Sequence, residues 1–284
     1  MKSRALFTLL LCALLAFAAS QVAFAATGVP TAFTLDPDPD PEAATAPAPI
    51  RGLAAVRSTT PATYRGRLSR STVQTSQRIR KRPRGTLLAH VRRGRSVALH
   101  SRPGGPVVVR LGSATEFGSP RALPVAARRG PWLGVTTSAR PNGRLAWVRA
   151  RSRALRLTRT PYSLHADLSR RRVALRRGGR VLERLAVTVG RPGSETPTGR
   201  FAVTDKLAGT RFSPYYGCCI LALSGNQPSP PPGWRGGNRL AIHGTNAPAT
   251  IGTASSAGCL RAGGRELRVL MRHVPLGTPV FIRP

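Results

Sequence analysis

The chain has 284 residues, with 45 Lys and Arg against 10 Asp and Glu, a formal charge of +35, and 41% hydrophobic residues. That hydrophobic share supports a packed core, so a wholly disordered chain is excluded despite 29 Gly and 26 Pro. Lys occurs only at Lys2, Lys81 and Lys206, and such Arg dominance beside abundant Ala, Gly and Pro marks a compositional bias that explains much of the charge without a binding site. Beyond the N-terminal run no apolar stretch approaches the roughly 18 residues of a membrane span, which excludes a polytopic membrane protein.

The first element is a leader. Lys2 and Arg4 precede the apolar run from Ala5 to Ala19, and Ala23-Phe24-Ala25 has the small-x-small pattern of a signal-peptidase site. Cleavage is expected after Ala25, giving an exported protein with no stable membrane span; an uncleaved anchor helix is the alternative. Residues 26–85 read as a linker. The part to about Pro49 is Pro-rich and holds Asp36, Asp38, Asp40 and Glu42, after which the sign turns basic and culminates in Arg78-Ile79-Arg80-Lys81-Arg82-Pro83-Arg84. Like charges in a row favour a solvated tether over a dedicated polyanion site.

From residue 86 to residue 150 the pattern becomes short β-like stretches. Val97–His100, Val107–Val109, Leu123–Val125, Trp132–Val135 and Leu145–Val148 are the candidate strands, divided by turns at Pro103-Gly104-Gly105 and Pro141-Asn142-Gly143. Five strands in about 65 residues predict a small barrel. The pieces Trp132-Leu133-Gly134-Val135 and Ala146-Trp147-Val148 resemble a bacterial SH3-like domain, departing from it at Ala146. The resemblance implies binding of cell-wall peptides; a structural spacer with both tryptophans in its core is the competing reading.

Residues 160–284 are expected to form the second domain. Leu168–Leu175, a Gly178-Gly179 turn and Val181–Val189 read as a hairpin, followed by Thr196-Pro197-Thr198-Gly199-Arg200-Phe201. The Pro/Gly-rich loop from Pro228 to Gly237 reads as a flap over a site, and Leu240-Ala241-Ile242 as a buried strand running into His243. Leu267, Leu270, Met271 and Val274 recur at helical spacing after Gly263-Gly264, and Pro279–Ile282 closes the chain as a strand. The fold class is mainly β: a small barrel followed by a β-sandwich with one or two helices.

Removing Cys12 with the leader leaves Cys218, Cys219 and Cys259, and an odd number in an exported chain flags a reactive thiol. A disulfide between Cys218 and one other Cys is open but not readable from sequence; a bond between the neighbours Cys218 and Cys219 would close a strained ring, so they read as two small apolar residues. Fifteen residues separate His243 from Cys259. A Cys nucleophile needs a base, because an ordinary thiol with a pKa of about 8.5 is mostly protonated at neutral pH, and imidazole can hold a thiolate–imidazolium pair with it. Gly258 and Cys259 can offer backbone amides to an oxyanion. His90, His100, His165 and His273 carry no motif, so no zinc spacing, metal or cofactor is implied.

The segment His243-Gly244-Thr245-Asn246, with Ser256-Ala257-Gly258-Cys259-Leu260-Arg261, resembles the YkuD-type L,D-transpeptidase catalytic domain, in the pattern His…[ST]-x-G-C-x-[NR]. The Thr196–Phe201 stretch and the terminal Gly277-Thr278-Pro279-Val280 resemble further elements of that family, over about residues 160–283. The resemblance implies Cys259 as nucleophile, His243 as general base, and the Gly244 carbonyl as the group that orients the imidazole. It assigns Ser256, Arg261, Thr245 and Asn246 to the substrate pocket, with Arg261 suited to carboxylates. Many members carry a second His where this chain has Ala257, which leaves His243 as the base.

The implied reaction is acyl transfer on peptidoglycan stem peptides. Cys259 takes the acyl group of a tetrapeptide, D-Ala leaves, and a second stem's amine forms a 3→3 cross-link; carbapenem β-lactams should acylate the same thiol. An L,D-carboxypeptidase on the same fold and a non-catalytic wall-binding protein are the alternatives. The charge suits anionic cell-wall polymers in the wall or periplasmic space. Nucleic acid is disfavoured, since the leader directs export and no aromatic-interleaved basic motif occurs.

Overall fold

The computed structural model describes residues 85–234 and 237–284. The expected leader and, apart from Gly85, the expected linker lie outside them. All described residues fall in one compact unit. Among them, no helix is long and apolar enough to cross a membrane.

The first sheet has seven strands: β1 (Thr86–Val91), β2 (Ser96–His100), β3 (Val107–Gly112), β4 (Ala122–Arg129), β5 (Trp132–Val135), β6 (Ala146–Arg149) and β7 (Leu155–Thr160). Their order is β3-β2-β6-β5-β4-β1-β7. The five expected strands are β2 to β6, and two more form. Only Leu155 and Thr160 of β7 are buried, so no apolar alternation betrays it. An antiparallel ladder with β1, from Thr86↔Thr160 to Val91↔Leu155, holds it instead. Ala89, Val97, Leu99, Leu123, Leu133 and Val148 pack the core of this sheet. Trp132 and Trp147 are also buried, each beneath a guanidinium: Arg149 lies 4.9 Å from the Trp132 ring and Arg129 5.3 Å from the Trp147 ring.

The second sheet contains β8 (Tyr162–Asp167), β9 (Arg172–Arg177), β10 (Arg180–Gly190), β11 (Gly199–Ala208), β12 (Cys219–Asn226), β13 (Arg239–His243), β14 (Ala254–Ser256), β15 (Leu260–Ala262) and β16 (Pro279–Arg283). The order is β14-β10-β15-β13-β12-β11-β16-β8-β9, and β9 pairs also with β10, so the sheet closes on itself. The expected hairpin is β9–β10. Its interior is filled by Leu164, Phe201, Leu221, Ile242 and Leu260. Helix α1 (Gly264–His273) covers it with Leu267 and Leu270, carries Arg272 and His273 in its last turn where they complement the helix dipole, and stops before Pro275.

What positions the site is the parallel pair β13/β15, in register Ile242↔Leu260 and His243↔Arg261. Ile242 and Leu260 enter the core, so strand alternation turns His243 and Arg261 to the other face. On that face Tyr215, Tyr216, Ile220 and Ala241 form a second cluster, against which Cys259 packs.

Candidate active site

His243 ends β13 and is 1% exposed. Its Nδ1 lies 2.6 Å from the Gly244 carbonyl oxygen. A carbonyl only accepts, so Nδ1 carries the proton and Nε2 keeps a lone pair able to accept one. The rings of Tyr216 and Tyr215 lie 4.9 and 5.6 Å from the imidazole. Burial pushes the imidazole pKa down to about 3, against the Gly244 hydrogen bond, which raises it; the nearby Arg261 charge lowers it further. The imidazole is therefore held neutral across the physiological range. That disfavours the thiolate–imidazolium pair such residues can form, and the reason is desolvation beside a fixed cation.

The turn that carries Cys259 lies between β14 and β15. Ser256 Oγ donates to the Cys259 carbonyl at 2.6 Å and accepts the Gly258 N–H at 3.1 Å. Ser256 is 1% exposed, so it braces the turn rather than lining a substrate pocket as expected. The Gly258 amide, expected at an oxyanion, is committed to that hydroxyl. Gly258 has φ +117°, and a Cβ there would stand 2.0 Å from Gln227 Nε2. Cys259 itself is half-buried and outside any disulfide, with Sγ 3.9 Å from the Arg239 carbonyl oxygen.

Gln227 is the residue that sequence reasoning missed. Its Nε2 donates to the carbonyls of Ala257 (2.9 Å), Ser194 (3.1 Å) and Glu195 (3.2 Å). One buried amide thus ties the end of β12, the turn after β10 and the turn that carries Cys259. A glutamine before a Pro/Ser loop carries no sequence signal of this. The Thr196 motif residue joins the same knot, because its hydroxyl accepts the Gly190 N–H at 2.9 Å while Arg191 N–H bonds the Ser256 carbonyl. Tyr215 and Tyr216 were missed as well.

Arg261 is only 2% exposed. Its Nη2 donates to Ser255 Oγ at 3.2 Å, its guanidinium lies 5.9 Å from the Tyr215 ring, and its Nε has no hydrogen-bond partner. So small an exposed surface does not offer a substrate carboxylate the bidentate contact expected of Arg261; its influence in this arrangement is on His243. The Thr245 hydroxyl accepts the Ala247 N–H at 3.0 Å within the turn after His243, and Asn246 is exposed beside it.

Cys218 and Cys219 are bonded to each other, not two separate apolar thiols. The pair adjoins the site: the Cys219 carbonyl accepts the Gly244 N–H at 3.0 Å, and Gly244 in turn orients His243. A Cβ on Gly244 would stand 2.6 Å from the Tyr216 carbonyl oxygen, so glycine lets the two segments touch. Among the described residues, no three His, Cys, Asp or Glu side chains gather as a metal set.

The family model described as the L,D-transpeptidase catalytic domain, YkuD, matches residues 161–282. The chain is 32% identical over 126 residues to a protein named L,D-transpeptidase YkuD of Bacillus licheniformis, covering 44% of this chain and 67% of that protein. For the protein of the same name in Bacillus subtilis the values are 32% over 124 residues, 43% and 66%. The chain thus spans about two thirds of the length of these relatives. The solved L,D-transpeptidase 3 from Mycobacterium tuberculosis, in complex with a faropenem-derived adduct, aligns with a TM-score of 0.35 at 15% identity, over 49% of this chain and 73% of that one.

Proposed function

The chain belongs to the L,D-transpeptidase family of YkuD-type catalytic domains, and on that premise we propose that it is a cysteine-dependent peptidoglycan L,D-transpeptidase with Cys259 as nucleophile and His243 as base. The observation that carries this reading is the Nδ1–Gly244 contact, which leaves Nε2 as the acceptor on the face that also holds Cys259. In the first step Sγ bonds the carbonyl carbon before the terminal D-Ala of a tetrapeptide stem. The thiol proton passes to His243 Nε2 and on to the departing amine as the C–N bond breaks. In the second, the side-chain amine of another stem attacks the thioester, gives a proton to His243, and Sγ leaves as the thiol.

A neutral imidazole suits this sequence, since the proton arrives only as the thiol attacks. Burial, aided by the Arg261 charge, keeps it neutral at rest, and Ser256 and Gln227 hold the turn that presents Sγ. The Cys259 amide serves the oxyanion. Carbapenem β-lactams acylate the same thiol by ring opening. The protein works outside the cytoplasmic membrane, on stem peptides within an anionic wall, and its first sheet is an SH3-like module that engages the wall.

The test is to incubate the mature protein and Cys259→Ala with a disaccharide tetrapeptide and read product masses. A cross-linked dimer lacking one D-Ala, lost in the variant by about 10³-fold or more, supports the reading. A monomer lacking D-Ala makes the protein a carboxypeptidase. No Cys259-dependent product, with no β-lactam adduct either, removes the enzyme reading.

A further inference from the structure

Away from Cys259, a small hollow of about 50 Å³ lies where the β5–β6 connection of the first sheet meets β11 and β12 of the second. Thr136, Arg140, Arg144 and Arg200 line it together with Asn142 and Ser224, and among the described residues no Asp or Glu does. Thr136 is 8% exposed, and its Oγ1 has no hydrogen-bond partner among the described residues. Among them the buried Nε atoms of Arg140 and Arg200 have no partner either. Three residues lining one space, two from the β5–β6 connection and one from β11, thus each carry a buried polar atom with no partner among the described residues, although most such buried groups find one.

Water alone would satisfy the hydroxyl. By this measure a water needs about 10–15 Å³, so the hollow has room for a few waters or for one small oxyanion. Charge decides between them. Three arginines line the hollow and no acid of the described residues does, and Arg200 is half-buried, its pKa lowered by that burial. Its Nη2 is held on the Val125 carbonyl at 3.1 Å, so the group is placed by the fold. Fixed N–H donors with a hydroxyl, from several sides and without an acid, match the oxygens of a phosphate.

We infer that this hollow is an anion site that takes one phosphate group, either free inorganic phosphate or a phosphodiester of a wall polymer. It is separate from the acyl-transfer chemistry and stands whether or not that reading holds. Asn142, on its wall, also clasps the second sheet: Nδ2 donates to the Asn226 carbonyl at 2.6 Å and Oδ1 accepts the Asn226 N–H at 3.0 Å. The bound anion therefore sits at the seam that precedes Gln227.

Calorimetric titration of the full chain with inorganic phosphate, and separately with poly(glycerol phosphate), tests this at low salt. One-site saturable binding is expected, weakened about tenfold or more by Thr136→Val and by Arg140→Gln. Binding of free phosphate identifies the simple ion, and binding of the polymer alone, with the same two losses, identifies the phosphodiester. Combined Arg128→Gln, Arg149→Gln and Arg151→Gln should change neither titration. The inference falls if neither probe saturates, or if that triple variant weakens binding as much as the site variants do. Melting curves show which variants fold, and Arg200→Gln replaces any that does not.

Discussion

The two sheets spend their polar residues differently. Residues 85–160 carry 15 arginines and one acid, Glu116; their arginines lie mostly at the surface, and the interior is aliphatic apart from Trp132, Trp147 and the buried Thr115, Thr136, Thr137 and Thr160. Residues 161–284 carry 18 Lys and Arg with five acids, and bury Ser194, Thr196, Gln227, His243, Ser256 and Arg261. Burying such groups costs free energy unless each is hydrogen-bonded, and the first sheet keeps its buried polar side chains to small hydroxyls. The larger and ionisable ones gather around the turn that carries Cys259.

The contrast can be broken hardest at Gly258. Gly258→Ala forces both an unfavourable φ and a clash with Gln227. It should cost about 3 kcal/mol and lower acyl transfer about a hundredfold, read by melting and by β-lactam acylation rate. Adding Gln227→Ala should restore part of the stability but not the rate, because the turn then loses its clasp.

Leu133→Ala in the first sheet empties a fully buried position and should cost about 2–4 kcal/mol. Acylation per folded molecule should not change. If it falls too, the two sheets are more tightly coupled than their separate cores imply.

Acid sharpens the difference next. Folded His243 binds its proton only near pH 3, whereas unfolded His binds it near 6.5. Between those values the unfolded state holds the extra proton, so stability falls as pH falls, by about 1.4 kcal/mol per pH unit at most. His243→Gln should flatten that slope in urea melts. The acid limb of kcat/KM in the unaltered protein should lie well below pH 6.5.

The smallest effect belongs to the seam. Glu116 pairs with Arg239 at 2.5 Å, but its side chain is half-exposed. Glu116→Gln should cost less than about 1 kcal/mol and fade with salt. A larger loss would mean that Arg239, whose carbonyl faces Cys259, depends on this pair for its position.

Local patterns were legible in the sequence. The hairpin turn at Gly178-Gly179, helix α1 with its i, i+3, i+4, i+7 apolar face and the mainly β class follow from residue type and spacing over a few positions, whereas the His243/Cys259 candidates rest on the family resemblance. β7 escaped because its stability comes from a ladder to a strand nearly 70 positions earlier. Gln227 escaped because its three acceptors lie about 30 positions away on either side. The Cys218–Cys219 bond, the neutrality of His243 and the enclosed Arg261 were likewise decided only in three dimensions. A sequence displays which groups can donate, accept or titrate. What each one does depends on desolvation and on neighbours brought together by long-range strand pairing, and those arise only when the sheets close.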